Sequence, residues 1–286
     1  MVASGAHEPV MVDEVIRFLG GRGTVVDMTL GAGGHAEALL AAGVGRVIGI
    51  DRDPEAIELA STRLERFHAR FDARLATFAS FDPEEPVDGV LFDLGVSSMQ
   101  LDAAERGFSY RRPGPLDMRM GPDARSAMEL VNELPEEELG DLIFQYGEER
   151  RSRRVAAAIV RARSRAPITT TDELARVVAG AVGRRAGGPH PARRTFQALR
   201  IAANRELEEL TSSLPQAVSF LAPGGRAVVV AYHSLEDRLV KRFLRDDDRV
   251  RILTKRPLRP SDDEVARNPR SRSARLRAAE RMGEAA

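Results

Sequence analysis

The stretch TVVDMTLGAGGHAEALL, residues Thr24–Leu40, decides the fold. It begins with a short apolar and β-branched run, Thr24–Met28, which predicts a buried strand. A glycine-rich segment, Leu30–Gly34, follows, and apolar residues then recur at helical spacing. The stretch therefore predicts a strand, a tight loop and a helix in direct succession.

The same alternation continues on the C-terminal side. The run RVIGI, Arg46–Ile50, repeats the strand pattern, Asp51 follows it, and a second helix is predicted from Pro54. Further strands are predicted at Ala73–Thr77 and Gly89–Phe92. Strands that alternate with helices of about a dozen residues are typical of βαβ units. We therefore predict an α/β fold with a parallel sheet and helices on both faces.

The pattern changes after the fourth predicted strand. Residues Ala127–Val182 show successive helical patterns without a strand, and the alternation of strands and helices resumes after Arg205. We predict a discontinuous sheet domain, residues 1–101 and 203–286, interrupted by a helical domain of residues 102–202.

The composition narrows the possible functions. The chain has 286 residues, with 43 Lys and Arg against 43 Asp and Glu, 43% hydrophobic residues and no Cys. Without Cys, thiolate metal sites and Cys nucleophiles are excluded, and no spacing of His and carboxylates indicates a metal site.

No apolar run reaches the roughly 18 residues of a membrane-spanning helix, and Met1–Glu8 lacks the features of an export signal. We therefore expect a cytoplasmic globular protein without a resident metal.

The loop GAGGHA, Gly31–Ala36, fits the G-x-G-x-x-G/A pattern of dinucleotide-binding sites. Glycines there let a ligand approach the backbone, and Asp51, 20 residues beyond Gly31, is placed to accept hydrogen bonds from ribose hydroxyls. Asp27 precedes the loop, where a carboxylate attracts an ammonium group and repels a pyrophosphate. S-adenosylmethionine has that ammonium and no phosphate, so Asp27 favours this cofactor. The alternatives are a glycine-rich turn without a ligand and Asp27 as a helix cap.

From Asp93 onward the chain resembles a known family. The resemblance rests on DLGVSS (Asp93–Ser98), RGFSY (Arg106–Tyr110), GPLDMRM (Gly114–Met120), YGEER (Tyr146–Arg150), HPARRTFQALRI (His190–Ile201), APGGR (Ala222–Arg226), YHSLEDRLVKRF (Tyr232–Phe243) and NPRSRSARLRAAER (Asn268–Arg281). In this order the motifs resemble the bacterial 16S ribosomal RNA cytosine-N4 methyltransferases of the H type, over residues His7–Arg281.

The resemblance implies a class I methyltransferase fold, with a Rossmann-like sheet and an inserted helical domain that recognises RNA. It implies that S-adenosylmethionine is the cofactor and that the substrate is N4 of a cytidine in the decoding region of 16S ribosomal RNA, within the small ribosomal subunit. Seven cofactor contacts follow from the resemblance: Gly33, Gly34, His35, Asp51, Phe78, Asp93 and Gln100. The loop analysis adds Asp27 and Gly31.

Asp93 is the predicted catalytic residue. The exocyclic amine of cytosine is a poor nucleophile because its lone pair is delocalised into the ring, so acceptors that hold the NH₂ group favour its attack. Orienting the cofactor is the alternative role of Asp93. Many amino-methyltransferases continue with Pro-Pro and an aromatic residue, where this chain has Leu94-Gly95-Val96. Phe108, Tyr110 and Tyr232 are therefore candidates for the ring that stacks on the base.

His233 lies at the end of the strand that is predicted to begin at Arg226. Strand carboxyl ends line the ligand crevice in this fold class, so His233 is a second candidate catalytic residue, in contact with the target nucleotide. A lone His at this position also caps the following helix, and the sequence leaves both roles open.

Arginine is concentrated in two places. Residues Leu174–Arg205 contain seven Arg and no acidic residue, and the C-terminal stretch adds Arg267, Arg275 and Arg277. Basic segments bind RNA phosphates, and the alternative is solvated surface charge. The predicted RNA-binding residues are Arg184, Arg185, Arg193, Arg194, Arg270 and Arg272.

Three functions remain in competition. An RNA methyltransferase is the leading hypothesis. A ribosome-assembly factor that binds the cofactor without turnover is an alternative, since the sequence does not prove a catalytic group. A nucleotide-dependent oxidoreductase is permitted by the glycine-rich loop, but Asp27 and the DLGVSS motif count against it. The sequence does not predict the oligomeric state.

Overall fold

The computed structural model describes residues 9–121, 124–183 and 188–283. Its strands are β1 (Thr24–Asp27), β2 (Arg46–Asp51), β3 (Phe71–Leu75), β4 (Val87–Asp93), β5 (Leu221–Ala231), β6 (Val250–Ile252) and β7 (Arg275–Arg281). Its α-helices are α1 (Val12–Leu19), α2 (Gly34–Ala41), α3 (Pro54–Leu64), α4 (Ser98–Asp102), α5 (Ala127–Glu133), α6 (Glu136–Gly147), α7 (Ser152–Arg163), α8 (Thr171–Val182), α9 (Arg193–Asn204), α10 (Glu206–Phe220), α11 (Ser234–Asp246) and α12 (Asp262–Arg267).

The chain divides into two compact units. The first unit comprises Met1–Gly95 and Leu207–Ala286 and holds the whole sheet. The second unit, Val96–Glu206, is built of helices α4 to α9. The predicted helical domain, residues 102–202, lies within the second unit. Among the described residues, no helix combines the length and the apolar character that crossing a membrane requires.

The seven strands form one sheet in the order β3-β2-β1-β4-β5-β7-β6. Strands β1 to β5 are parallel to their neighbours in this group, whereas β7 is antiparallel to both β5 and β6. The predicted α/β fold with a parallel sheet is confirmed for β1 to β5. Strand β7 was not predicted, because sequence analysis assigned Arg275–Arg281 to a basic C-terminal stretch.

Both faces of the sheet are covered, as the continuous apolar strands predict. Successive side chains of a strand point to opposite faces. Val26 therefore packs in one apolar cluster, with Leu214 of α10 and Val240 of α11. Val25 packs in another, with Leu39 of α2. Apolar side chains thus cover both faces of the sheet, and polar functional groups are expected at the strand ends.

Helices α3 and α8 begin where local side chains can cap them. Pro54 begins α3 as predicted, since it has no N–H to satisfy, and the Asp53 side chain accepts the Glu55 N–H (3.2 Å). Helix α8 begins at Thr171, and the Thr170 N–H donates to Glu173 Oε2 (3.1 Å) in a capping box. These starts were predictable because the interactions lie within one turn.

The second unit has its own apolar core. Helix α6 contributes Leu139 and Ile143, α7 contributes Val155 and Ile159, and α9 contributes Leu199. All five side chains are fully buried. Between Ala127 and Val182 the structure has four successive helices and no strand, as the helical patterns predicted.

Candidate active site at the carboxyl edge of the sheet

Three carboxylates lie at the carboxyl edge of the sheet. Asp27 is the last residue of β1, Asp51 of β2 and Asp93 of β4. Strand β1 lies between β2 and β4, with Asp27 opposite Gly49 and Leu91. Parallel strands bring their carboxyl ends to one edge, so the order of the strands gathers acids that are far apart in the sequence.

The glycine-rich loop between β1 and α2 needs its glycines. Gly31 and Gly33 have φ angles of 50° and 77°, in the left-handed region that glycine adopts without strain. Gly33 is also the N-cap of α2, and a Cβ there would lie 3.0 Å from Leu64 Cδ1. A Cβ on Gly34 would lie 3.1 Å from Pro9 Cγ. The loop therefore needs glycine both for its left-handed backbone and for its close packing against Leu64 and Pro9.

Asp51 ties this loop to β2. Its Oδ2 accepts the Gly31 N–H and its Oδ1 accepts the Asp53 N–H, both at 2.9 Å. Each oxygen keeps a further lone pair for a ligand hydroxyl. Burial raises the pKa of the Asp51 carboxyl, and the two backbone N–H groups oppose that shift. The carboxylate is thus oriented before any ligand binds.

Asp27 is 1% exposed. Its Oδ1 accepts the Thr29 N–H (3.1 Å), and its Oδ2 has no hydrogen-bond partner among the residues that the structure describes. Burial raises the pKa of the Asp27 carboxyl to about 6. The alternative of a helix cap is wrong, because Gly33 is the N-cap of α2. A buried oxygen without a partner fits a cationic ligand group.

Asp93 is held by side chains and is 24% exposed. The Tyr232 hydroxyl donates to Asp93 Oδ1 (2.7 Å), and His35 Nε2 lies 3.4 Å from Asp93 Oδ2. The Asp93 N–H donates to Thr29 Oγ1 (2.6 Å), so its backbone is also anchored to the turn after β1. Part of the carboxylate remains open to a substrate.

His35 is buried at the start of α2. Burial lowers the pKa of its imidazole, but the neighbouring Asp93 and Asp27 carboxylates raise it, and the net shift is upward. Neither ring nitrogen has an aligned hydrogen-bond partner among the described residues. The imidazole therefore adds a polar, proton-binding group between the two acids, beyond the backbone role predicted for the loop.

Two further predicted cofactor residues lie in different units. Phe78 follows β3 in the first unit, where its ring packs edge-on against Phe92 (5.5 Å between centroids). Gln100 lies in α4 of the second unit, and its Oε1 accepts the Ser97 N–H (3.1 Å) in a capping box. Their predicted cofactor contacts stay predictions.

His233 caps α11. Its Nδ1 accepts the Glu236 N–H (3.4 Å), and Glu236 Oε2 accepts the His233 N–H (3.1 Å). Of the two roles left open by the sequence, the structure shows the cap. Contact with a target nucleotide stays a prediction.

The three candidate stacking rings differ in their surroundings. Phe108 is buried in the core of the second unit. Tyr110 stacks on His190, with 4.7 Å between centroids and 15° between planes. Tyr232 directs its hydroxyl at Asp93, a contact that sequence analysis missed. The only feature of the sequence that pointed to this contact was a tyrosine directly after a predicted strand.

The predicted RNA-binding arginines fall into three groups. Arg184 and Arg185 lie outside the described residues. Arg193 and Arg194 are exposed in the first turn of α9, and Arg194 Nη1 lies 3.6 Å from Glu149 Oε2. Arg270 and Arg272 are exposed in the short 3₁₀ helix that follows α12.

Two other arginines of the C-terminal stretch are engaged inside the protein. Arg277 Nε donates to Asp237 Oδ1 (2.7 Å), and Arg275 Nη1 donates to Asp237 Oδ2 (3.2 Å). Arg277 is 7% exposed. Both belong to β7, and the Asp237 carboxylate of α11 balances their charges.

Comparisons with known proteins agree over nearly the whole chain. The family model described as the MraW methylase family matches residues 4–282. The Ribosomal RNA small subunit methyltransferase H of Azorhizobium caulinodans is 50% identical, with 96% of this chain and 87% of that protein aligned. The protein of the same name from Synechococcus elongatus is 52% identical over 91% of this chain and 88% of its own length.

A solved structure, an rRNA methylase from Streptococcus thermophilus, aligns over 95% of this chain and 94% of its own. Its sequence identity is 13% and its TM-score is 0.44, which is too low to transfer a function.

Proposed function

The chain belongs to the MraW methylase family, and from this premise we propose that it transfers the methyl group of S-adenosylmethionine to N4 of a cytidine in the decoding region of 16S ribosomal RNA. The observation that carries the proposal is the meeting of Asp27, Asp51 and Asp93 at one sheet edge, beside a loop of left-handed glycines.

The residues present fit this cofactor. Asp51 keeps lone pairs for the ribose hydroxyls, and the left-handed Gly31 and Gly33 turn the loop backbone into the start of α2. The unpartnered Oδ2 of Asp27 suits the cofactor's ammonium group. Three acids at one edge would repel the phosphates of a dinucleotide, which counts against the oxidoreductase alternative. When bound, S-adenosylmethionine supplies an electrophilic methyl group.

Asp93 provides the acceptor for the target amine. Methyl transfer forms the bond from N4 to the methyl carbon while the bond from sulfur to that carbon breaks, and N4 then loses a proton. An acceptor that engages the amine more strongly as its nitrogen pyramidalises stabilises the transition state selectively. Asp93, partly exposed and fixed by Tyr232 and Thr29, is placed to hold the amine and to take that proton.

The second unit is the proposed RNA-recognition domain. Its exposed Arg193 and Arg194 offer positive charge at the first turn of α9. Basic side chains of this kind contact RNA phosphates, while the target base must be presented unpaired or flipped. We place the reaction on 16S ribosomal RNA within the small subunit, in the cytoplasm.

The test uses undermethylated small subunits and, separately, naked 16S ribosomal RNA, each incubated with methyl-labelled cofactor. Nucleoside mass spectrometry should find the label on N4 of one cytidine, and the two substrates show whether the assembled particle is required. Calorimetric binding of S-adenosylmethionine without any label in RNA would instead support an assembly factor. Binding of NAD and not of S-adenosylmethionine would support the oxidoreductase.

A further inference from the structure

Tyr232 lies at the junction of β5 and α11, directly after Ala231 ends the strand. Its N–H donates to Glu236 Oε2 (2.8 Å), and the N–H of His233 donates to the same oxygen (3.1 Å). The capping box of α11 therefore fixes the backbone from which the Tyr232 side chain extends.

The neighbouring strand brings Asp93 to this junction. Strands β4 and β5 are parallel, Asp93 lies opposite Val230, and the Leu94 N–H donates to the Val230 carbonyl (2.9 Å). The Tyr232 hydroxyl then donates to Asp93 Oδ1 at 2.7 Å, the usual length of an O–H···O hydrogen bond. A Cβ on Gly95 would lie 3.6 Å from the Tyr232 ring, so the ring lies near the chain just after Asp93.

The protonation state of Tyr232 supports a donor role. Burial, and then the Asp93 carboxylate, raise the pKa of the Tyr232 hydroxyl well above its usual value. The hydroxyl therefore stays protonated at neutral pH. On the other side of the carboxylate, His35 Nε2 lies 3.4 Å from Oδ2, so both oxygens of Asp93 face a polar side chain.

We propose that Tyr232 is a positioning residue for methyl transfer, holding the Asp93 carboxylate in the orientation that receives the target amine. The inference rests on the proposed function. The terminal torsion of a carboxylate is broad and roughly two-fold, so a carboxylate without this hydrogen bond samples more orientations. The amine is then held in a reactive geometry less often. Loss of the Tyr232 hydrogen bond leaves the charge of Asp93 and the loop contacts of Asp51 unchanged. Cofactor affinity is therefore not expected to fall together with the transfer rate.

The test is Tyr232→Phe, which keeps the ring and removes the hydroxyl. With RNA and cofactor both saturating, the single-turnover rate of methyl transfer should fall about tenfold, the scale of one hydrogen bond to a charged group. Cofactor affinity, measured by calorimetry, should stay within about twofold, and it also verifies that the variant folds. The control is Thr211→Val, which removes an exposed hydroxyl that donates to the Leu207 carbonyl on α10 (2.7 Å), and it should leave the transfer rate unchanged.

A double-mutant cycle with Asp93→Ala then tests whether Tyr232 acts through Asp93. Tyr232→Phe should slow the wild-type protein and have no further effect in the Asp93→Ala background, because the group it orients is gone. Equal slowing in both backgrounds would overturn the proposal. So would a wild-type rate for Tyr232→Phe when Asp93→Ala is slow, an outcome that leaves the proposed function standing. A wild-type rate for Asp93→Ala would overturn the role of Asp93 itself, and the positioning role with it.

Discussion

The carboxylates of Asp51 and Asp93 lie at the same edge of the sheet but are held by different means. Both oxygens of Asp51 accept backbone N–H groups, whereas those of Asp93 face the side chains of Tyr232 and His35. A backbone N–H remains when the side chain of its residue is exchanged, whereas a side-chain anchor can be removed by one substitution. In the proposed function, a cofactor contact anchored by backbone groups therefore stands beside a catalytic residue anchored by side chains.

Asp27 belongs to neither group. One of its oxygens accepts the Thr29 N–H, and the other is buried without a partner among the described residues. Its charge is therefore costly in the free protein, and a bound cation would relieve the cost. Four predictions test these distinctions.

The largest expected effect is on stability, from Asp27→Asn. The pKa of Asp27 in the folded protein is about 6, above its unfolded value, so the folded state binds the extra proton between about pH 4 and 6. The contribution of Asp27 to the free energy of unfolding should accordingly fall by about 3 kcal/mol as pH rises through this window, and the difference between the wild type and the variant isolates it from the other carboxyls.

The Asn side chain does not ionise, so the variant should lose this pH dependence, and it should be the more stable protein at pH 7. Urea unfolding of the cofactor-free protein at four pH values between 4 and 7 measures the effect. A difference in free energy of unfolding between the two proteins that stays constant from pH 4 to 6 would contradict burial of the charged form.

Asp51→Ala comes next. Losing hydrogen bonds between a carboxylate and the ribose hydroxyls should weaken cofactor binding by roughly 1.5 to 3 kcal/mol, about tenfold to a hundredfold. The control is Asp88→Ala, since Asp88 Oδ2 accepts the Thr24 N–H (2.8 Å) at the opposite edge of the sheet. Calorimetry should show a loss for the first variant alone, and equal affinities would remove Asp51 from the site.

Asp93→Ala tests the carboxylate that is anchored by side chains. With both substrates saturating, single-turnover transfer should fall at least about tenfold, while cofactor affinity changes less. Asp93→Asn keeps one acceptor oxygen without the charge, so it should retain more activity than Asp93→Ala. Should the rate hold while cofactor affinity collapses, Asp93 orients the cofactor and is not catalytic.

The smallest expected effect concerns the second unit. Replacing Arg193 and Arg194 by Gln should flatten the salt dependence of RNA binding by about one unit of log slope per lost phosphate contact. Cofactor affinity should not change. Arg176→Gln is the control, because Arg176 already pairs with Asp172 (3.0 Å) on α8. A slope that stays at the wild-type value would make the two arginines ordinary surface charge.

Several elements were predictable because their causes are local. The strand, loop and helix of Thr24–Leu40 follow from apolar spacing and glycine content, and the start of α3 follows from Asp53 and Pro54. The positions of Asp27, Asp51 and Asp93 at strand ends follow from the same patterns. The contacts of those acids could not be predicted in the same way. The sequence allowed Asp27 to be a helix cap, and the structure shows that Gly33 is the N-cap of α2.

The sequence by itself determined the alternation of strands and helices, the glycine-rich loop and the acids that end three strands, because each depends on residues within a few turns of chain. Only the tertiary structure decided that β7 lies between β5 and β6, which brings Arg277 to Asp237, and that Tyr232 reaches Asp93 across 139 residues. Such contacts depend on which strands become neighbours. That choice is made by packing of the whole sheet, and no local pattern encodes it.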